Sequence, residues 1–237
     1  MQKQKAELLA SPAIAARQKE LLRNASAEIH YRDGMYTGDA VSYFLAGLSA
    51  IDCIEEVLRA GAPAAIQAVL DLPSGYGREL RFLVQRFPAA QFTACDIQPR
   101  AVEFCAREFG VAAVVSDPDL NRVSFAQTFD LIWCGSLITH LNAETIGDLL
   151  ALFARHLNPA GLMIFTAHGD HVLNRMTREQ AAYDLRPADL PALTDSYSRT
   201  GYGYHDYPRG QGYFDFHPKG TGYGISLTSP DLMRRQV

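Results

Sequence analysis

Three carboxylates stand at or just beyond the ends of short apolar runs in this 237-residue sequence: Asp71, Asp96 and Asp117. A carboxylate is costly to desolvate. Acids repeated at the carboxyl ends of successive strands therefore point to a ligand bound along that edge, where open parallel sheets take their ligands. Taken singly, each acid is equally explained as a helix cap or a turn residue. The first opens the turn Asp71-Leu72-Pro73-Ser74-Gly75-Tyr76-Gly77, in which Gly75 and Gly77 lack a Cβ and let a ligand approach the main chain. Asp96 falls at about the separation expected of a ribose-binding acid. His140 and His168 are the candidate general bases, because one follows the fourth apolar run and the other ends the fifth. Each also has a structural explanation: His140 could bond a backbone group ahead of an Asn142-led helix, and His168 could pack at a strand end. His205 is third in order. Arg78 could bind an anion, although a salt bridge at the first helix of the sheet region is the simpler reading.

Positioning these residues requires a sheet. The patterning predicts strands over 66–71, 91–96, 112–116, 129–134 and 161–167, alternating with helices over 77–87, 99–109 and 143–157, with Pro99 in a first turn. Residues 119–127 are too few for a confident helix. This alternation is that of an α/β fold with a mostly parallel central sheet and helices on both faces. Residues 1–62 read as an N-terminal helical extension or lid, with one helix up to Asn24, a loop through Arg32-Asp33-Gly34 and a helix that Asp39 could cap. Residues 63–237 form the sheet domain, with a Tyr/Gly-rich segment over 195–225. There a polar helix-like stretch near 177–184 is followed by Tyr202, Tyr204, Tyr207, Tyr213, Phe214 and Phe216, which recur around Gly210 and Gly212 as in a hairpin. These rings suit a sheet face packed on the core or an aromatic wall over a substrate. Residues 223–228 read as another strand, and Ser229-Pro230-Asp231 as the opening of a short helix.

The segment Val69-Leu-Asp-Leu-Pro-Ser-Gly-Tyr-Gly-Arg78 resembles the first motif of class I S-adenosylmethionine-dependent methyltransferases, and Thr93-Ala-Cys-Asp96 resembles their acidic second-strand motif. Phe129-Asp-Leu-Ile-Trp-Cys-Gly-Ser136 is similar to the fourth-strand motif, and residues 157–165 to the entry into the fifth strand. The proline-serine-glycine turn with its following Gly-Arg, and the segment 133–141, resemble a bacterial branch of that family. The resemblance covers about residues 65–169 and implies a Rossmann-like methyltransferase fold. It implies S-adenosylmethionine as cofactor, with S-adenosylhomocysteine as product. It implies that Asp71, Ser74, Gly75 and Gly77 hold the methionine portion, that Asp96 bonds the ribose hydroxyls, that Ile97 also binds the cofactor, and that Ser116 and Asp117 meet the adenine. Cys134, Gly135 and Ser136 would border the sulfonium. Pro73 departs from the family pattern, standing where a first glycine is usual, and it has no N–H to donate.

Composition narrows the partners. The net charge of -4 is small and interspersed, so no basic stripe marks a nucleic-acid groove and no polybasic cluster an anionic membrane; a small-molecule substrate is expected. Cys53, Cys95, Cys105 and Cys134 form no C-x-x-C pair and sit among apolar neighbours, which suits buried free thiols in a reducing, cytoplasmic setting and no metal site. The apolar run over 8–16 is interrupted by Pro12 and continues into a charged helix, unlike a secretory leader. Two other readings stay open. A nicotinamide-dependent oxidoreductase would use Gly75, Gly77 and Asp96, but Leu80 occupies the place of its third glycine. A non-catalytic protein could keep the same pocket.

Overall fold

The computed structural model describes residues 2–61, 65–208 and 222–236. The chain divides into two compact units, the first made of 1–116, 125–133 and 157–164 and the second of 117–124, 134–156 and 165–237.

The first unit opens with α1 (Gln2–Ala10), α2 (Ala16–Asn24) and α3 (Ala40–Gly61). The single helix expected up to Asn24 is two, because Pro12 lacks an N–H and disfavours helical backbone before it. Asp39 caps α3 as expected: its Oδ1 accepts the Val41 N–H at 2.9 Å and its Oδ2 the Ser42 hydroxyl at 2.5 Å. Tyr43, Phe44, Leu48, Ile51 and Ile54 recur at helical spacing and form the buried stripe of α3. Cys53 falls off that stripe and is exposed, which corrects the expectation of four buried thiols; Cys95, Cys105 and Cys134 are buried.

A five-stranded sheet follows, in the order β3-β2-β1-β4-β5. Its strands are β1 (Ala68–Asp71), β2 (Gln91–Asp96), β3 (Ala112–Val115), β4 (Phe129–Cys134) and β5 (Leu157–Phe165). β1 runs parallel to both β2 and β4, and β2 to β3. This is the expected Rossmann-like arrangement. The central strands are almost wholly buried, so they read as continuous apolar runs. β5 begins four residues before the expected start. α4 (Leu80–Arg86) begins three residues late, because Gly77 and Arg78 belong to the turn. α5 (Pro99–Phe109) has Pro99 at its first position and ends on the left-handed Gly110.

Arg81 ties this unit together from complete burial. Its Nε donates to the Gly77 carbonyl at 3.0 Å, its Nη1 to the carbonyls of Ser26 at 2.8 Å and Glu28 at 3.0 Å, and its Nη2 to the Tyr43 hydroxyl at 3.2 Å. Tyr43 in turn donates to Asp33 at 2.6 Å. The guanidinium also lies 5.2 Å from the Tyr43 ring centroid and 5.6 Å from that of Phe109.

In the second unit, α6 (Ala143–His156) is capped by Asn142, whose Oδ1 accepts the Thr145 N–H at 2.9 Å. α7 (Asp170–Arg178) lies earlier than the helix-like stretch expected near 177–184. α8 (Leu190–Thr200), unanticipated, carries Pro191 in its first turn and ends at the left-handed Gly201. β6 (Tyr202–Asp206) pairs antiparallel with β7 (Gly224–Thr228), which precedes α9 (Pro230–Gln236). Gly210, Gly212, Tyr213, Phe214 and Phe216 lie outside the described residues. Val172, Met176, Leu193, Tyr197, Ile225 and Leu227 make this unit's core. Among the described residues, no helix is long and apolar enough to cross a membrane.

Replacing Arg81 with Met keeps the volume but leaves the Ser26, Glu28 and Gly77 carbonyls without this donor. The expected loss is about 3 kcal/mol of unfolding free energy in urea. A change below about 1 kcal/mol would contradict the tying role.

Candidate functional site

Asp71 ends β1 and is buried, and neither carboxylate oxygen has a hydrogen-bond partner among the described residues. Burial, then the neighbouring charges of Glu79 and Asp96, push its carboxyl well above the ordinary carboxylate range. Asp96, at the end of β2, is also buried but well bonded: Oδ2 accepts the Gly75 N–H at 2.8 Å and Oδ1 the Gln98 N–H at 2.9 Å. Burial raises its carboxyl, opposed by these amides and that of Ile97.

The turn between them is closed on the protein. Ser74 N–H donates to the Cys95 carbonyl and Gly77 N–H to the Ser74 carbonyl, both at 2.9 Å. With Gly75 N–H on Asp96, three amides expected to face a cofactor are engaged internally. The Leu72-Pro73 peptide bond is cis. Gly75 and Gly77 both have positive φ, at 49° and 74°, yet they differ in surroundings. A Cβ on Gly77 would lie 2.3 Å from Phe109 Cε2, whereas a Cβ on Gly75 would meet nothing within 4 Å. Gly77 is thus required by packing, whereas the space beside Gly75 is open. Arg78 pairs with Glu79 at 2.8 Å, the simpler of its two readings. The His30 ring stacks on Tyr76 at 4.6 Å, joining the residues after α2 to the turn.

Ser116 ends the first unit's third strand region, and its N–H donates to the Asp96 carbonyl at 2.9 Å. The remaining expected site residues belong to the second unit. Asp117 Oδ1 accepts the Asp119 N–H at 2.8 Å. Cys134 is buried, and its carbonyl accepts the Thr166 N–H at 3.1 Å. Gly135 follows, and Ser136 takes a left-handed φ of 65° with its N–H on Thr166 Oγ1 at 2.7 Å.

His140 and His168 each stand against aromatic rings of that unit, and the His140 charge acts on His168. His140 Nδ1 lies 3.1 Å from the Gly224 carbonyl and 2.9 Å from the Tyr207 hydroxyl, and its ring stacks on Tyr223 at 5.3 Å. A carbonyl only accepts, so Nδ1 carries the proton and Nε2 the lone pair in the neutral ring. Burial lowers the His140 pKa, opposed by the Gly224 carbonyl and Asp184. Burial, reinforced by the His140 charge, lowers His168 to about 4. His168 Nδ1 is buried with no hydrogen-bond partner among the described residues. His205 instead faces Asp189 at 3.7 Å and the Asp206 carbonyl at 2.8 Å.

The reading of the sequence did not single out Arg81, Tyr43, His30 or Tyr183. The signal for Arg81 was present: it is the lone charge inside the apolar run Leu80-Arg81-Phe82-Leu83, four residues after Gly77.

Residues 69–161 match the family model for a methyltransferase domain. Over those residues the chain is similar to a methyltransferase domain, with the Asp71–Gly77 turn near the start of the match. A curated relative, the malonyl-acyl-carrier-protein O-methyltransferase of Anoxybacillus flavithermus, is 24% identical over 168 residues, which take in 68% of this chain and 64% of that protein. The match thus spans just under two-thirds of the relative's length. Similar solved structures include SAM-bound CalS10, an amino pentose methyltransferase from Micromonospora echinaspora, at 22% identity, 59% of this chain, 57% of that chain and a TM-score of 0.47. Streptomyces venezuelae DesVI stands at 20% identity, 58% of this chain, 57% of that chain and a TM-score of 0.46.

The two glycines predict opposite outcomes. Gly77→Ala, forced against Phe109, should destabilise the fold by about 2–3 kcal/mol in urea unfolding. Gly75→Ala should cost about 1 kcal/mol in stability yet weaken S-adenosylhomocysteine binding about tenfold or more by calorimetry. Asp71 gives a second test. Its raised folded pKa means that stability is lost as pH rises from the ordinary value of 3.8 through the folded one. Ligand-free Asp71→Asn should therefore melt higher than the parent at about pH 8, with the gap closing toward about pH 4.

Proposed function

We propose that the protein transfers a methyl group from S-adenosylmethionine to a small-molecule acceptor, such as a sugar or a secondary metabolite, by in-line displacement. Asp71 carries this reading: a buried carboxylate whose two oxygens have no hydrogen-bond partner among the described residues, four positions before the open Gly75, suits a cationic ligand. S-adenosylmethionine, when bound, supplies an electrophilic methyl group on a cationic sulfur. Asp71 and Gly75 would hold its methionine portion. Asp96 would accept from a ribose hydroxyl, since a carboxylate has about four acceptor positions and the amides of Gly75, Gln98 and Ile97 occupy three. From the family resemblance, Ile97, Ser116 and Asp117 would complete the cofactor contacts, and Cys134, Gly135 and Ser136 would border the methyl group.

The chain's own chemistry is alignment, exclusion of water and movement of one proton. A base works best with a pKa near the operating pH. His168, pushed down to about 4, binds protons weakly, so its Nδ1 serves to accept a hydrogen bond from the acceptor molecule. His140 is the base, with Nδ1 held by Gly224 and Nε2 taking the proton. For a hydroxyl acceptor this proton leaves as the O–C bond forms; for an amine it can leave at another stage. The interspersed charge supports a small acceptor over nucleic acid or a membrane surface.

Titration with S-adenosylhomocysteine and with NADH tests the cofactor. Saturable binding of the first and none of the second is expected; tight NADH binding without affinity for the first would overturn the reading. Once a panel of sugar and secondary-metabolite acceptors yields turnover, His140→Gln should lower kcat about 100-fold to 10,000-fold with S-adenosylhomocysteine affinity unchanged. The parent's rate should fall only on the acid side of the ordinary histidine value of 6.5.

A further inference from the structure

Where the sheet strands begin, at the end of β1 remote from Asp71, the first unit carries an open cleft of about 470 Å³ whose lining includes Arg17, Glu55, Leu58, Arg59, Arg86 and Phe87. It gathers three guanidinium groups around one buried carboxylate. Glu55 is only 5% exposed, and its Oε1 receives both Arg86 Nε, at 2.6 Å, and Arg17 Nη2. Arg59 forms no ion pair among the described residues. Burial and the repulsion of Arg86 and Arg59 lower the Arg17 pKa, opposed by Asp52 and Glu20. Those two acids are exposed, where water and salt screen them. The C-terminal ends of α3 and α4 each offer at most about half a negative charge. Glu55 is shared by Arg17 and Arg86, while Arg59 stands at the same cleft with no ion pair among the described residues.

We propose that this cleft binds an organic monoanion, with its carboxylate on Arg59 and Arg86 and its apolar body against Leu58 and Phe87. The guanidinium fork matches a carboxylate in two-point geometry. Arg86 is already positioned, paired to Glu55 and lying 4.7 Å over the Phe87 ring. The apolar lining excludes a fully hydrated ion as the best occupant and selects an anion with a hydrophobic side. This site is separate from the cofactor turn and does not depend on the methyl-transfer reading.

The test is titration of the full chain with para-fluorobenzoate, followed by fluorine NMR at constant ionic strength. Saturable one-to-one binding in about the millimolar range is expected, undiminished by saturating S-adenosylhomocysteine. Arg59→Gln should weaken it about fivefold or more, and Arg59→Lys by less, because Lys keeps the charge but loses the fork. Arg59 is exposed, so both variants should melt with the parent. Arg234→Gln, at an exposed side chain of α9, should bind as the parent does. The proposal is overturned by the absence of saturable binding, by equal binding of para-fluorobenzyl alcohol, by displacement with S-adenosylhomocysteine, or by equal losses at Arg59 and Arg234.

Discussion

The first unit depends on a cation placed where no water reaches it. Arg81 is completely buried, and its recorded hydrogen-bond acceptors are neutral: the carbonyls of Ser26, Glu28, Tyr76 and Gly77 and the hydroxyl of Tyr43. Burying a guanidinium is costly unless its donors are occupied. That condition links three parts of the chain, since the acceptors come from the residues after α2, from α3 and from the glycine turn. Lys5 reinforces the same seam, with Nζ on the carbonyls of Ala25 at 2.5 Å and Arg23 at 3.2 Å. Burial and the charge of Arg81 lower its pKa, so the two cations share this region at some electrostatic cost. The N-terminal helices are therefore bound into the support of the turn: the carbonyl that orients Arg81 from one side belongs to Gly77, and those on the other side belong to the extension.

A turn held this firmly can leave a neighbouring group unsatisfied. Ser74, Gly75 and Gly77 commit their amides to the protein, and Asp96 gains two donors from that arrangement, but Asp71 gains none. In the ligand-free chain the proton itself relieves the misfit, because burial and the adjacent acids favour the neutral carboxyl. A cation arriving at this position competes with that proton. Affinity for such a ligand and stability of the empty fold thus pull Asp71 in opposite directions, which is a common cost of a functional site.

Much of the first unit was legible because buried parallel strands leave plain traces. The expected limits of β2, β4 and α5 agree with the structure, as do the caps at Asp39 and Asn142 and the first-turn Pro99. Each follows from local chemistry. Arg81 left a local trace as a lone charge inside an apolar run, but the Ser26 and Glu28 carbonyls that hold it lie 55 and 53 residues away in sequence. The internal use of the turn's amides was likewise hidden, because Gly75 donates to a carboxylate 21 residues away. In the second unit, β6 finds its partner in β7 across a sequence separation that no hairpin signal spans. α8 carried a local signal, Pro191 and Gly201, but the tyrosines that follow drew attention to strands instead.

The second unit concentrates backbone strain beside its histidines. Gln180, Tyr183 and Asp184 all have left-handed φ, at 52°, 48° and 64°, although none is glycine. Such a conformation costs about 1–2 kcal/mol for an ordinary residue and persists only where its surroundings impose it. Here the following helix start is tied back, with Leu185 N–H on the Ala182 carbonyl at 2.9 Å, and Arg175 lies 5.7 Å from the Tyr183 ring centroid. The result is chemical as well as geometric. Tyr183 comes within 5.6 Å of the His168 ring, and the charge of Asp184 opposes the desolvation of His140. Asp184 is thus the smaller of the two influences that oppose the desolvation of His140, after the Gly224 carbonyl, and it comes from the strained segment.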